Sequence, residues 1–264
     1  MTTPALPLEI VENIIDHCDR KTLAECSLVC SRWIARSRYQ RFRCLLFIAS
    51  KSVGDYVVDK FTFLHSTECT IPRYVKRVVI LYDSSIEIAR LLPTIALLTK
   101  TQSLVISSLP VSPKPADIEG GILDAIAQIF PDLRSLEMRC EDLSMKNPAS
   151  FLSSFPNLEN LDFRGKWTQT SNLQNEEDSS LSLCPPPASL RVLKVSNYFP
   201  ELAHWFLQCR IFPNLTELTL ENFILCATHP HLNICSFLNS LGPALKTLSL
   251  VERNKSRTFN PGMQ

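Results

Sequence analysis

Leu133-Arg134-Ser135-Leu136-Glu137-Met138 is the stretch on which the fold turns. Its apolar residues follow the spacing L-x-x-L-x-L, and the last two, Leu136 and Met138, alternate with polar or charged neighbours, the period of two of a strand with one buried face. The pattern returns as Leu158, Leu161, Phe163, as Leu190, Leu193, Val195, as Leu215, Leu218, Leu220 and as Leu245, Leu248, Leu250. Weaker copies stand upstream at Val75, Val78, Ile80 and at Thr101, Leu104, Ile106, where the first position has decayed. Tracked by the last apolar position from Ile80 onward, the copies lie 26, 32, 25, 32, 25 and 30 residues apart. That separation suits one strand and one helix per unit. Helices are expected between the strands over 86–98, with Pro93 inside, and over 118–130, 149–155, 201–210 and 231–241. Phe130-Pro131, Phe155-Pro156 and Phe212-Pro213 punctuate their ends, because proline pushes the residue before it towards extended backbone.

Composition is consistent with a folded core and excludes several classes. Of 264 residues 45% are apolar and 20% charged, and the formal net charge is +1. No whole-chain field therefore recruits nucleic acid or anionic lipid. Only 6 glycines occur, none in a phosphate-cradling spacing. The 10 cysteines are too sparse for a disulfide scaffold. Residues 1–15 lack a basic leader followed by a long apolar run, and the longest apolar stretches, 91–98 and 45–49, fall well short of a membrane span. A soluble protein of the cytosol or nucleus is expected.

The first 47 residues have a different grammar. Ile10, Val11, Ile14, Ile15 and Cys18 recur at three and four, and Pro7 suits a first helical turn. Thr22-x-x-Glu25 reads as a capping box opening a second helix, and a third carries Trp33 and Ile34 on to Phe42. Three short helices cannot cover so many large apolar groups. Leu6, Leu8, Ile10, Ile14, Leu28, Val29 and Trp33 need a roof, supplied by the rest of the chain or by another protein.

Leu6-Pro7-Leu8-Glu9-Ile10, Leu23, Ser27-Leu28-Val29-Cys30 and Trp33 resemble an F-box, in the form common among fungal F-box proteins. The short join His17 to Lys21, with Cys18 where leucine is common, departs from that pattern. The downstream pattern resembles degenerate leucine-rich repeats, although Cys140, Asn197 and Asn222 come two rather than three residues after the third apolar position. Together the resemblances imply a three-helix F-box over 4–47, a connecting segment over 48–74, and an irregular α/β solenoid over 75–264 with a polar insertion at 168–187. They also imply a job: docking on a Skp-type adaptor, and through it a cullin-RING ubiquitin ligase, while the repeats hold a protein substrate. Leu6, Pro7, Ile10, Ile14, Leu28, Val29, Cys30 and Trp33 would make the adaptor contact, with Trp33 as its anchor.

Strand residues flanking the inward leucines point to the opposite face by the period of two. The charged ones, Glu137, Arg139, Asp162, Arg164, Lys194, Glu217 and Glu221, are the candidate substrate-facing set; they carry both signs and select no ligand class. Rival chemistries find little support. Arg32, Arg36, Arg38, Arg41 and Arg43 with Trp33, Tyr39 and Phe42 form the one arrangement suited to nucleic acid, yet residues 1–50 hold 7 basic and 5 acidic groups. Cys26 and Cys30 with His17 and Cys18 lack metal-ligand spacing. No nucleophile, zinc-protease or paired-carboxylate arrangement is present, so no catalytic residue, cofactor or metal is assigned. A non-enzymatic ligase adaptor is expected; a scaffold without ubiquitin output is the alternative.

Overall fold

The structure is a computed structural model, and its described residues are 6–50, 61–109, 120–143, 148–167, 187–196, 214–221, 241 and 244–251. Three helices come first: α1 (Leu8–Asp16), α2 (Arg20–Val29) and α3 (Ser31–Phe42). Strands and helices follow in the order β1 (Cys44–Ala49), β2 (Arg77–Tyr82), α4 (Ser85–Ile95), β3 (Ser103–Ser108), α5 (Gly120–Ile129), β4 (Ser135–Leu143), α6 (Pro148–Ser153), β5 (Asn160–Trp167), β6 (Val192–Ser196), β7 (Glu217–Glu221) and β8 (Thr247–Val251). Short 3-10 turns at Thr62–His65 and Ile71–Tyr74 stand between β1 and β2.

All eight strands form one parallel sheet in sequence order. Each apolar pattern copy lands in one strand, and the register aligns them: Leu45, Val78, Leu104, Leu136, Leu161, Leu193, Leu218 and Leu248 make one row across the sheet. At the entry to each strand a single carbonyl accepts two successive amides from the next strand. Arg43 O takes Lys76 N–H at 2.9 Å and Arg77 N–H at 2.8 Å. The same double acceptance recurs at Lys76, Gln102, Arg134, Glu159, Arg191 and Thr216. A parallel ladder with no slip is what the repeated pattern demands, since a shift of one residue would turn every leucine out of the core.

β1 lies where the sequence reading placed the end of the helical unit and the start of a connecting segment. Phe42, Leu45 and Phe47 are in fact a further pattern copy, hidden because Phe42 closes the last turn of α3. Counting from β1, the strand starts are spaced 33, 26, 32, 25, 32, 25 and 30 residues, an alternation of long and short units. The helices over 85–95, 120–129 and 148–153 fall where periodicity put them, ending earlier than expected at Ile95, two residues beyond Pro93. The expected segment 201–210 lies outside the described residues, as does 231–241 apart from Leu241, and Asn197, Asn222 and the insertion at 168–186 likewise.

One large core runs beneath the sheet from Leu45 to Leu241 and includes Phe47, Ile80, Tyr82, Phe130, Phe155 and Leu193. Leu248 and Leu250 occupy the core-side positions of β8 but remain exposed, since β8 has a neighbouring strand on one side only among the described residues. Cys140 faces the core, and burial pushes its thiol up to about 11. Opposite it in register is Gly165, where the pairing of β4 with β5 shifts between Cys140 and Asp142. A Cβ at Gly165 would overlap the carbonyl oxygen of Cys140. Backbone cannot yield as a side-chain tip does, so Gly165→Ala is expected to cost about 1–3 kcal/mol, read as a lowered denaturant midpoint. A midpoint equal to wild type would show that β4 and β5 relax apart freely.

Candidate docking surface

The three N-terminal helices build their own small core, separate from that of the sheet. Val11, Ile15 and Leu23 are buried together, and Cys18 and Trp33 pack against them half-buried. α2 starts earlier than the capping-box reading placed it. Asp19 is the cap, its carboxylate accepting the Thr22 N–H at 2.8 Å, which holds that carboxyl below the usual carboxylate value. Thr22 is therefore the third residue of the helix rather than its cap, because the short join from α1 brings an aspartate to the turn first.

Asp16, at the last turn of α1, ties the trio together. Its carboxylate accepts both Arg36 Nε–H and an Arg36 Nη–H, and the Gln40 side-chain amide at 2.6 Å. The Arg36 hydrogen bond, foremost, holds the Asp16 carboxyl below its ordinary 3.8. A lowered native value stabilises the fold at every pH above the unfolded value and is lost as pH falls through the native one. The stability difference between wild type and Arg36→Gln should therefore be full at pH 6, about 0.2–1 kcal/mol for a largely solvated pair, and fade towards pH 2. A difference that persists unchanged at pH 2 would assign it to packing instead. Three further arginines of this cluster have partners: Arg38 reaches Thr70 Oγ1 at 3.4 Å, Arg43 reaches Gln40 Oε1 at 3.3 Å, and Arg41 lies over Phe42 at 5.3 Å, while Arg32 is exposed.

With Val11, Ile15, Leu23 and Cys26 turned inward, six large apolar groups face out. Leu28 is 85% exposed, Val29 62% and Leu6 58%, with Leu8, Ile10 and Ile14 also exposed. Pro7 and Cys30 are exposed beside them. Trp33 is placed differently from its neighbours in the sequence pattern, since its ring leans on the internal cluster while part stays open.

This outward set coincides with a known family pattern: residues 4–45 match the family model of the F-box domain. The segment is an F-box. F-box domains typically bind Skp-type adaptors in cullin-RING ligases. No curated protein matches the chain. Among solved structures, a Bacteroides fragilis protein aligns at 13% identity with a TM-score of 0.38, covering 68% of this chain and 61% of its own; the chain thus spans less than two thirds of that protein. Among the described residues, no helix is long and apolar enough to cross a membrane.

Beyond the F-box, the sheet face opposite the core gathers the second set of expected residues. Glu137 and Asp162 are register neighbours, and so are Arg139 and Arg164. Within each strand the signs pair: Arg139 contacts Glu137, and Arg164 meets Asp162 at 2.9 Å. The Asp162 carboxylate raises the Arg164 guanidinium further. Arg77 reaches Glu137 at 3.8 Å, and Glu221 accepts the Ser196 hydroxyl at 2.9 Å, while Lys194 and Glu217 are exposed. The sequence reading missed the other half of this face. Leu46, Val79, Leu81 and Val105 make its β1–β3 end apolar; the weaker copies at Val78-Ile80 and Leu104-Ile106 already pointed to the last three, and the hidden Phe42-x-x-Leu45-x-Phe47 copy would have found Leu46.

Proposed function

We propose that the chain is the substrate-recognition subunit of a Skp-cullin-F-box type ubiquitin ligase. The observation that carries this reading is the outward set Leu6, Leu8, Ile10, Ile14, Leu28 and Val29, exposed on and just before helices that bury Val11, Ile15 and Leu23 among themselves. Each such side chain, once covered, contributes about 1.5–3 kcal/mol before association costs. In this reading the adaptor covers Leu6, Pro7, Ile10, Ile14, Leu28, Val29 and Cys30 together with the open edge of Trp33. The sheet from β1 onward is a leucine-rich-repeat-like solenoid, supported by one pattern copy per strand and strands in sequence order. Its charged and apolar outer face holds a protein substrate, with Glu137, Arg139, Asp162, Arg164, Lys194, Glu217 and Glu221 in reach of it.

The chain itself performs no chemistry in this scheme. It raises the effective concentration of its captive near the conjugating subunits, in the cytosol or nucleus where those subunits work. The test is reconstitution: the chain bound to a Skp-type adaptor, cullin and RING subunit, with a protein captured by the sheet from β1 onward, should transfer ubiquitin to that protein. Capture with no transfer would turn the reading into the scaffold alternative.

A further inference from the structure

The strand entries carry a second feature, on the rim of the sheet and away from its open face. Arg43, Lys76, Gln102, Arg134, Glu159, Arg191, Thr216 and Lys246 are successive members of one row, each donating its N–H to the carbonyl of the one before at 2.8–2.9 Å. Bases occupy every even-numbered strand of that row, Lys76, Arg134, Arg191 and Lys246, and a fifth, Arg43, stands at its β1 end with its side chain on Gln40. Strands lie about 4.8 Å apart, so these cations repeat at about 9.6 Å. The residues between them at β3, β5 and β7 are Gln102, Glu159 and Thr216. Arg134 pairs with Glu159 at 3.3 Å, whereas Lys76, Arg191 and Lys246 have no acidic partner within ion-pair distance among the described residues. Arg191 and Lys246 flank a shallow groove also lined by Asn214, Thr216, Glu217 and Thr247.

The repeat distance selects a ligand. A polyproline II helix has three residues per turn and rises about 3.1 Å per residue, so every third side chain returns to the same side after about 9.3 Å. A β-extended peptide presents one side every second residue, about 6.6 Å, and falls out of step within one interval. A nucleic acid carries a phosphate at every unit, which sets negative charge opposite Glu159 as well as opposite the bases. Among the described residues no member of the row is aromatic, so the row offers none of the stacking platforms that hold single strands. We propose that the strand-entry rim binds an acidic peptide in polyproline II conformation with a carboxylate at every third residue. The carboxylates would meet Lys76, Arg191 and Lys246, with Arg134 as a shared site, and Gln102 and Thr216 would offer polar groups to the peptide backbone.

The test is fluorescence anisotropy on the full chain with two labelled twelve-residue peptides of one composition. One is four Glu-Pro-Pro units; the other holds its four glutamates in a block among the prolines. The spaced peptide is expected to bind at least tenfold more tightly, to lose tenfold or more in Arg191→Glu/Lys246→Glu, and to weaken as salt rises. Lys76→Glu at the far end of the row should weaken it independently. Equal affinity for the two peptides, or no loss in the charge-reversed variants, would overturn the proposal. So would tighter binding of an oligothymidine of similar length, which would assign the rim to nucleic acid. Adaptor capture by the same variants, read in parallel, should match wild type; the rim's failure and the failure of the adaptor reading are thus separate outcomes.

Discussion

Leu28→Asp is expected to remove adaptor capture by more than about 100-fold while leaving the chain folded. Leu28 is 85% exposed and lies outside the cluster of Val11, Ile15 and Leu23. Its replacement therefore takes little from the interior. At the interface it loses about 1.5–3 kcal/mol of apolar burial, and the new carboxylate has to be stripped of water without a counter-charge, a penalty of several kcal/mol. Every 1.4 kcal/mol is a factor of ten. Co-expression with a Skp-type adaptor, followed by calorimetric titration of Leu28→Asp and of the conservative Leu28→Met, measures it. Undiminished binding by the aspartate variant would end the docking assignment at this face. Trp33 is a poorer choice for that experiment, because its lean on the internal cluster mixes folding with binding.

The largest effect on stability is expected at Phe47, the centre of β1. It is fully buried, stands in register with Ile80, and meets the Phe61 ring at 4.5 Å between centroids, tilted by 42°. Phe47→Ala opens a cavity under the first strand and is expected to cost about 3–5 kcal/mol, or roughly 10 °C in melting temperature for a chain of this size. If residues 44–49 were only a tether between the helices and the sheet, the loss would be under about 1 kcal/mol. Chemical denaturation decides between these. Below the melting range the variant should still capture the adaptor within a factor of two, because the helical trio has its own core.

Periodicity alone placed much of this protein. The row Leu136, Leu161, Leu193, Leu218 was readable because each leucine has the same two companions at the same spacing, and burial of one sheet face leaves no other register. The outward apolar set was readable as well, since three short helices cannot cover what these 44 residues carry. Phe42-x-x-Leu45-x-Phe47 escaped for a local reason. Its first residue satisfies helix and strand pattern at once, and only the position of the next strand shows that the chain has already entered the sheet. The cap of α2 escaped similarly: Asp19 and Thr22 are both good caps, and the angle of the short join chose between them.

Chain order and apolar spacing were enough for seven of the eight strand units, the side of each of those strands that is buried, and the surplus of apolar groups on the first helices. Those follow from what water excludes, and exclusion leaves a one-dimensional trace. Which polar groups meet was decided only when the strands stood side by side. Arg36 reaches Asp16, Arg77 reaches Glu137, and Lys76, Arg191 and Lys246 line up on one rim. Such meetings depend on separations of a few ångströms between residues tens of positions apart, and no local pattern records them.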